Sequence, residues 1–325
     1  MEKKMIGIDI GGTKCAVTSG KINEDRTISV LRKISFPTEV TKGVSQTLEH
    51  IFAGIDELLE GKSAADTIES IGISCGGPLD SVKGVILSPP NLPGWDEVPI
   101  VAMLTNRYQV KVGLQNDANA CALAEWKFGA GRGYKDVIFL TFGTGMGAGL
   151  ILDGKLYVGA NDMAGEVGHV RLENIGPVGY GKAGSCEGFC SGNGIAQLAK
   201  MKVLEQIQQG IQVSFCPTLA QIDQITAKDV SEAAIKGDPL ALEIYRICGC
   251  YLGQFLSILI DILNPQLIVI GSIYARSQSL LETSMKQVIE RETLPYSRSV
   301  CRIVPAGLGE SIGDMAALSV ASYLL

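Results

Sequence analysis

Asp9-Ile10-Gly11-Gly12-Thr13-Lys14 ends one apolar run, residues 5–10, and leads into the next, so the chain opens as strand, tight turn, strand. Residues 15–19 and 28–36 read as further strands, which makes the opening a β-meander. The pattern restarts at 137–142. There Thr141-Phe142-Gly143-Thr144-Gly145-Met146-Gly147-Ala148-Gly149 again joins two strands through a glycine-rich turn, and runs at 147–152 and 155–158 flank an Asp153-Gly154 hairpin turn. Two meanders, each led by a glycine-rich turn, divide the chain into two halves of like build.

The segments between them alternate in type. From 43 to 59, Val44, Leu48, Ile51, Phe52, Ile55, Leu58 and Leu59 recur at helical spacing and form one face. Residues 68–75 and 110–114 read as strands and 118–127 as a helix. In the second half, 171–192 reads as a long glycine-rich loop and helices dominate to about 263. A strand at 267–270, another near 300–304 and a C-terminal helix follow. The class is α/β.

Composition narrows the function. A chain of 325 residues with 46% hydrophobic content has room for two domains, and a net charge of −6 argues against a nucleic-acid or anionic-membrane surface. The N-terminal apolar stretch is broken by Asp9 and glycines, unlike a signal peptide, and the run 248–263 is too short to span a bilayer, so it reads as a buried helix. Nine scattered cysteines fit reduced thiols in the cytoplasm better than disulfides. The 39 glycines exceed the usual proportion of about 7% without a collagen period, which places the excess in turns and near ligands.

Four segments carry chemistry. Around Gly11, Gly12, Thr13 and Lys14, main-chain N–H groups, a hydroxyl and a cation suit phosphate oxygens, with Asp9 suited to a hydrated Mg²⁺. An ordinary hairpin with a salt-bridging Asp9 is the plain alternative. The spacing is neither that of a P-loop nor G-x-G-x-x-G. The turn at Gly143, Thr144 and Gly145 makes a second anion-binding candidate, because glycines so dense would weaken a strand. In Gln115-Asn116-Asp117-Ala118-Asn119, Asp117 reads both as a helix N-cap and as a carboxylate able to accept a proton from a hydroxyl. Glu166-Val167-Gly168-His169 sets one of two histidines three residues after a carboxylate; His50, on the helical run, reads as solvated.

In this order the segments resemble the ROK family of sugar kinases and sugar-responsive repressors, within the sugar kinase, actin and heat-shock chaperone superfamily. The resemblance runs the whole length and adds Gly76-Gly77-Pro78, Asn91-Leu92-Pro93-Gly94-Trp95, Glu187, Asn264-Pro265 and Val269-Ile270-Gly271. It implies a two-lobed actin-like fold, each lobe a mixed sheet with flanking helices and a cleft between. Residues 1–116 with about 309–325 would form one lobe and 117–308 the other. It further implies an ATP-dependent hexose kinase, glucokinase-like, with Asp117 as general base on the 6-hydroxyl. Gly77, Asn91, Asn116, Glu166, His169 and Glu187 would bind the sugar. Gly11, Gly12, Thr13, Lys14, Gly143, Thr144 and Gly145 would hold phosphates, Gly271 and Ser272 would border the nucleoside, and Asp9 would hold Mg²⁺ through water. Such proteins are commonly cytoplasmic homodimers or homotetramers.

The sequence departs from the family in two places. Many relatives follow the Glu-x-Gly-His segment with C-x-C-G-x-x-G-C-x-E, whose thiolates join the histidine around a structural zinc. Registering on Glu187 puts Val178, Tyr180 and Ser185 at those cysteine positions, so zinc is expected to be absent and Tyr180, with Val178 and Phe189, to form an apolar plug instead. Cys186, Cys190, Cys248 and Cys250 lie out of register. Ser272 stands where a glycine is common, tolerable unless its φ is positive. N-acetylmannosamine, N-acetylglucosamine, allose or fructose kinases are the nearest alternatives. A ROK repressor would need a helix-turn-helix domain ahead of Asp9, for which the sequence has no room. A silent sugar-binding regulator would not need Asp9, Asp117 and both turns.

Overall fold

The computed structural model describes residues 3–325; Met1 and Glu2 lie outside the described residues. The chain divides into two compact units. The first comprises the chain up to Lys135 with Gly149–Ala164 and Gly307–Leu325; the second comprises Asp136–Ala148 and Gly165–Ala306.

The first unit opens with strands β1 (Lys3–Ile10), β2 (Lys14–Ile22) and β3 (Ile28–Pro37), paired antiparallel in sequence. Helices α1 (Val44–Leu59) and α2 (Ala64–Thr67) lead to β4 (Ser70–Cys75), then a short hairpin, β5 (Leu79–Asp80) and β6 (Val85–Ile86). Helix α3 (Ile100–Tyr108), strand β7 (Lys111–Asn116) and helix α4 (Asp117–Phe128) follow. The sheet order is β3-β2-β1-β4-β7, with β1, β4 and β7 parallel. Helix α1 buries Leu48, Ile51, Ile55 and Leu59 in one cluster with Ile8, Val17 and Ile73 of the sheet, as its apolar spacing predicts. His50 is not solvated as expected: it is half-buried, its ring edge-on to Phe36 at 5.4 Å.

The second round is β8 (Val137–Phe142), β9 (Met146–Leu152) and β10 (Lys155–Tyr157). Asp153 and Gly154 both take positive φ, 49° and 72°, in the turn between β9 and β10. The segment expected to be a bare loop carries β11 (Val178–Gly179), β12 (Lys182–Ala183) and the one-turn helix α5 (Cys186–Phe189). Then come α6 (Gly192–Gln208), α7 (Ala227–Ile235), α8 (Pro239–Leu263), β13 (Leu267–Ile270), α9 (Ile273–Glu292), α10 (Pro295–Val300), β14 (Arg302–Pro305) and α11 (Ile312–Tyr323). The strand order β10-β9-β8-β13-β14 repeats the first sheet, a meander followed by parallel strands.

Helix α8 begins nine residues before the expected apolar run, because Asp238 caps it, accepting from Leu240 and Ala241 N–H at 2.9 Å, and Pro239 fits its first turn. Its length and composition would allow it to cross a bilayer, yet half of that stretch is buried inside the second unit. Helix α11 lies against β1 and β4 of the first unit so closely that a Cβ on Gly72 would meet Ala317 O and Ala321 N at 2.2 Å.

Candidate functional site

Within the first unit, the turn after β1 is pinned at both ends. Gly11 N–H donates to Lys14 O at 3.2 Å, and buried Thr38 donates its hydroxyl to Gly11 O and its N–H to Thr13 O at 3.0 Å. The Thr47 hydroxyl in turn donates to Thr38 O at 2.8 Å. Thr38 has no signature in the sequence, since its role depends on a contact 25 residues or more away. A Cβ on Gly12 would lie 2.4 Å from Asn91 O, and one on Gly76 would lie 3.3 Å from Asn91 Oδ1. Asn91 therefore sits between the phosphate-type turn and the Gly76-Gly77 segment, whose Gly77-Pro78 bond is cis.

Asp9 is the penultimate residue of β1 and Asp117 begins α4. The N-cap of α4 is Asn116, not Asp117 as the sequence suggested: Asn116 Oδ1 accepts from Asn119 N–H at 2.7 Å. That leaves Asp117 in the first turn, where its Oδ1 accepts from Ala118 N–H at 2.8 Å and the carboxylate keeps acceptor capacity. Burial raises the Asp9 pKa to about 6, the Asp117 charge adding to it and Lys33 and Lys14 opposing it. Asp117 is open to solvent on one face and crowded by protein on the others; desolvation raises its pKa against the Ala118 hydrogen bond. Two carboxylates that disfavour joint ionisation, at the end of a turn rich in N–H groups, fit a hydrated divalent cation.

Within the second unit, the turn between β8 and β9 is closed by Gly143 N–H to Gly145 O at 3.1 Å, and Gly192 N–H at the start of α6 donates to Gly143 O at 2.8 Å. Gly143, Thr144, Asn193, Lys228, Ser272 and Arg276 line an open cavity of about 440 Å³ there. Asn193, Lys228 and Arg276 were missed by the sequence reading, being single polar residues on three different helices. Ser272 has φ 50° and ψ −112°, a conformation favouring glycine, so its hydroxymethyl group is held under strain.

Glu166 leads into a single helical turn over Val167–His169, with His169 N–H donating to Glu166 O at 3.2 Å; both side chains are exposed. Glu187, on α5, accepts from Met146 N–H through Oε2 at 3.0 Å, which places it directly behind the second phosphate-type turn. The second unit thus brings Glu187 to Gly143, Thr144 and Gly145, and the first brings Asn91, Gly77, Asn116, Asp117 and Asp9 to its own turn.

The expected apolar plug is not formed. Tyr180 is 72% exposed and meets the His169 ring edge-on at 5.4 Å, and Val178 is exposed on β11. The apolar contact comes instead from Phe189, buried and stacked on Tyr251 at 3.6 Å. Ser185 caps α5 through Gly188 N–H. Cys186, Cys190 and Cys248 are buried free thiols, with Cys190 Sγ donating to Cys248 O at 3.8 Å. No group of three or more His, Cys, Asp or Glu among the described residues is arranged to hold a metal.

A match to the ROK family extends over residues 5–323. The chain belongs to the ROK family. The Thermotoga maritima glucokinase is 32% identical to this ROK chain over 319 residues, covering 98% of the chain and 96% of the relative. The Escherichia coli DNA-binding transcriptional repressor Mlc is 28% identical over 256 residues, 78% of the chain and 61% of the repressor. Among solved structures, a ROK family glucokinase from Streptomyces griseus, in complex with glucose and AMPPNP, superposes with a TM-score of 0.74 at 29% identity, covering 98% of the chain and 99% of that structure. The α/β fold of this ROK chain, a mixed sheet with flanking helices made twice, is the actin-like fold of ROK sugar kinases.

Proposed function

We propose that this ROK protein transfers the γ-phosphoryl group of ATP to the 6-hydroxyl of an aldohexose, glucose foremost, with Asp117 as general base. The chain is an ATP-dependent sugar kinase. The observation that carries the Asp117 role is the Asn116 cap, which leaves the Asp117 carboxylate available in the same unit as Asp9 and the first phosphate-type turn.

In this reading Asp117 takes the proton of the sugar hydroxyl as its oxygen attacks the γ-phosphorus, and the bond to the leaving ADP oxygen breaks. Asn91, Asn116, Glu166, His169 and Glu187, with main-chain Gly77, hold the other hydroxyls. Gly11, Gly12, Thr13, Lys14, Gly143, Thr144 and Gly145 offer donors to the phosphates, while Gly271 and Ser272 border the nucleoside. Asp9 would hold Mg²⁺ through water; the ion, when bound, neutralises phosphate charge. Most of the barrier reduction comes from positioning and charge neutralisation, which is what two braced turns supply. The loop after His169 works without zinc, and the enzyme is a cytoplasmic homodimer or homotetramer.

The test is coupled turnover against glucose, fructose, allose, N-acetylglucosamine and N-acetylmannosamine, with Asp117→Asn beside the native chain. Glucose should give the highest kcat/KM, and D117N should lower kcat by roughly 10²- to 10⁴-fold while sugar affinity stays within a few fold. Near-native turnover in D117N refutes the base assignment. A better N-acetylated substrate refutes the sugar.

A further inference from the structure

Glu125, in α4, is a fully buried carboxylate outside the set just described. Its Oε2 accepts from Ala130 N–H at 2.8 Å and Gly307 N–H at 3.1 Å, and its Oε1 from Leu308 N–H at 2.9 Å. A Cβ on Gly129 would lie 2.2 Å from Oε2, so the turn after α4 is folded tightly onto it. One side chain thereby fastens that turn to the segment that leads into α11, whose Gly307 lies 182 positions beyond Glu125.

Both fastened helices bear on the carboxylate pair. Helix α4 starts with Asp117. Helix α11 packs on β1, whose end carries Asp9, and on β4, where the Ser70 hydroxyl donates to Ala321 O at 2.9 Å. The first turn of α11 carries Asp314, ion-paired with Lys33, and these two charges act on Asp9. A second tie joins the same helices, Lys127 Nζ donating to Ser322 O at 3.2 Å.

We infer that Glu125 is a positioning residue for phosphoryl transfer: by binding three main-chain N–H groups at the junction of α4 and α11 it fixes Asp117 and Asp9 relative to each other. This rests on the functional reading above. A glutamine of the same shape cannot replace it, because only one of its two polar atoms accepts and its NH₂ must face a main-chain donor. Every partner of Glu125 is a donor, so the site demands an acceptor at both oxygens.

The experiment compares the native full chain with Glu125→Gln by two measurements: amide hydrogen exchange and steady-state kinetics with glucose and ATP. In E125Q the amides of Ala130, Gly307 and Leu308 should exchange about tenfold faster or more. At saturating substrates kcat should fall roughly tenfold or more, while KM for glucose changes less than about threefold. Native turnover in folded E125Q overturns the inference, as does a loss confined to KM for glucose with kcat unchanged. If E125Q does not fold, Glu125→Asp, which keeps the charge one methylene short, is read the same way. A native chain inert toward every hexose would sink the functional reading, whereas equal turnover in native and E125Q chains would sink the positioning role alone.

Discussion

Asp9→Asn should make the protein more stable at alkaline pH while abolishing its catalysis. Burial and the neighbouring Asp117 charge move the Asp9 pKa from 3.8 to about 6 in the fold. Between those values the folded chain binds a proton that the unfolded chain has released, so stability falls as pH rises through that window. Above pH 6 the ionised carboxylate costs the fold at most about 3 kcal/mol, a ceiling because Asp9 is only partly shielded from water. Asparagine keeps the shape and drops the charge. At about 2 °C per kcal/mol for a chain of this size, the Tm of D9N should exceed that of the native protein by roughly 5 °C at pH 8, with the gap closing near pH 4. Mg²⁺ at millimolar levels should raise the native Tm and leave D9N unmoved. Thermal unfolding at both pH values, with and without the ion, reads all of this. The reasoning fails if D9N is less stable than the native chain at pH 8, or if the gap does not depend on pH.

Ser272→Gly should raise stability by about 1 kcal/mol, measured by urea denaturation, because glycine relieves the strain at φ 50°. Prolonged dialysis against 1,10-phenanthroline should leave both Tm and turnover unchanged, with less than about a tenth of a zinc per chain by elemental analysis, against the near-stoichiometric zinc of a structural site.

The meanders and most helices were legible because their signals are local. Residues 137–142 and 267–270 match β8 and β13 at both ends, and Asp153-Gly154 announced its turn by dipeptide alone. The hairpin of β5 and β6 and that of β11 and β12 escaped because two-residue strands carry no period. Helix α3 was overlooked although Ile100, Leu104 and Tyr108 recur every four residues and are buried. At the site, the motif residues were readable as residue types, but their supports were not. Thr38 looks like any strand-end threonine, and Glu125 like any solvated glutamate on a helix. Asp117 reads as the cap in the sequence, and only the backbone shows that Asn116 takes it.

The segment after His169 shows how one physical task can be met with different bonds. Four-coordinate zinc would fix such a loop through a few strong bonds, on the order of 10 kcal/mol in all. Here the ordering is spread over many weaker ones. Gln197 pairs with both main-chain groups of Val178, at 2.9 and 2.8 Å, Lys182 donates to His169 O at 2.6 Å, and Arg171 to Ala183 O at 2.7 Å. Gly184 O accepts from Leu172 and Glu173 N–H, and Cys186 N–H donates to Val170 O. At about 1 kcal/mol each these contacts approach the energy of a metal site only together with the Phe189–Tyr251 stack. The two arrangements differ in what they leave free. A zinc site would occupy the histidine ring, whereas here the loop is held through the His169 carbonyl and the imidazole lies exposed beside Tyr180. On the proposed reading that exposed ring would be free to meet the sugar, and Val178, Tyr180 and Ser185 would leave the structural burden on the His169 backbone.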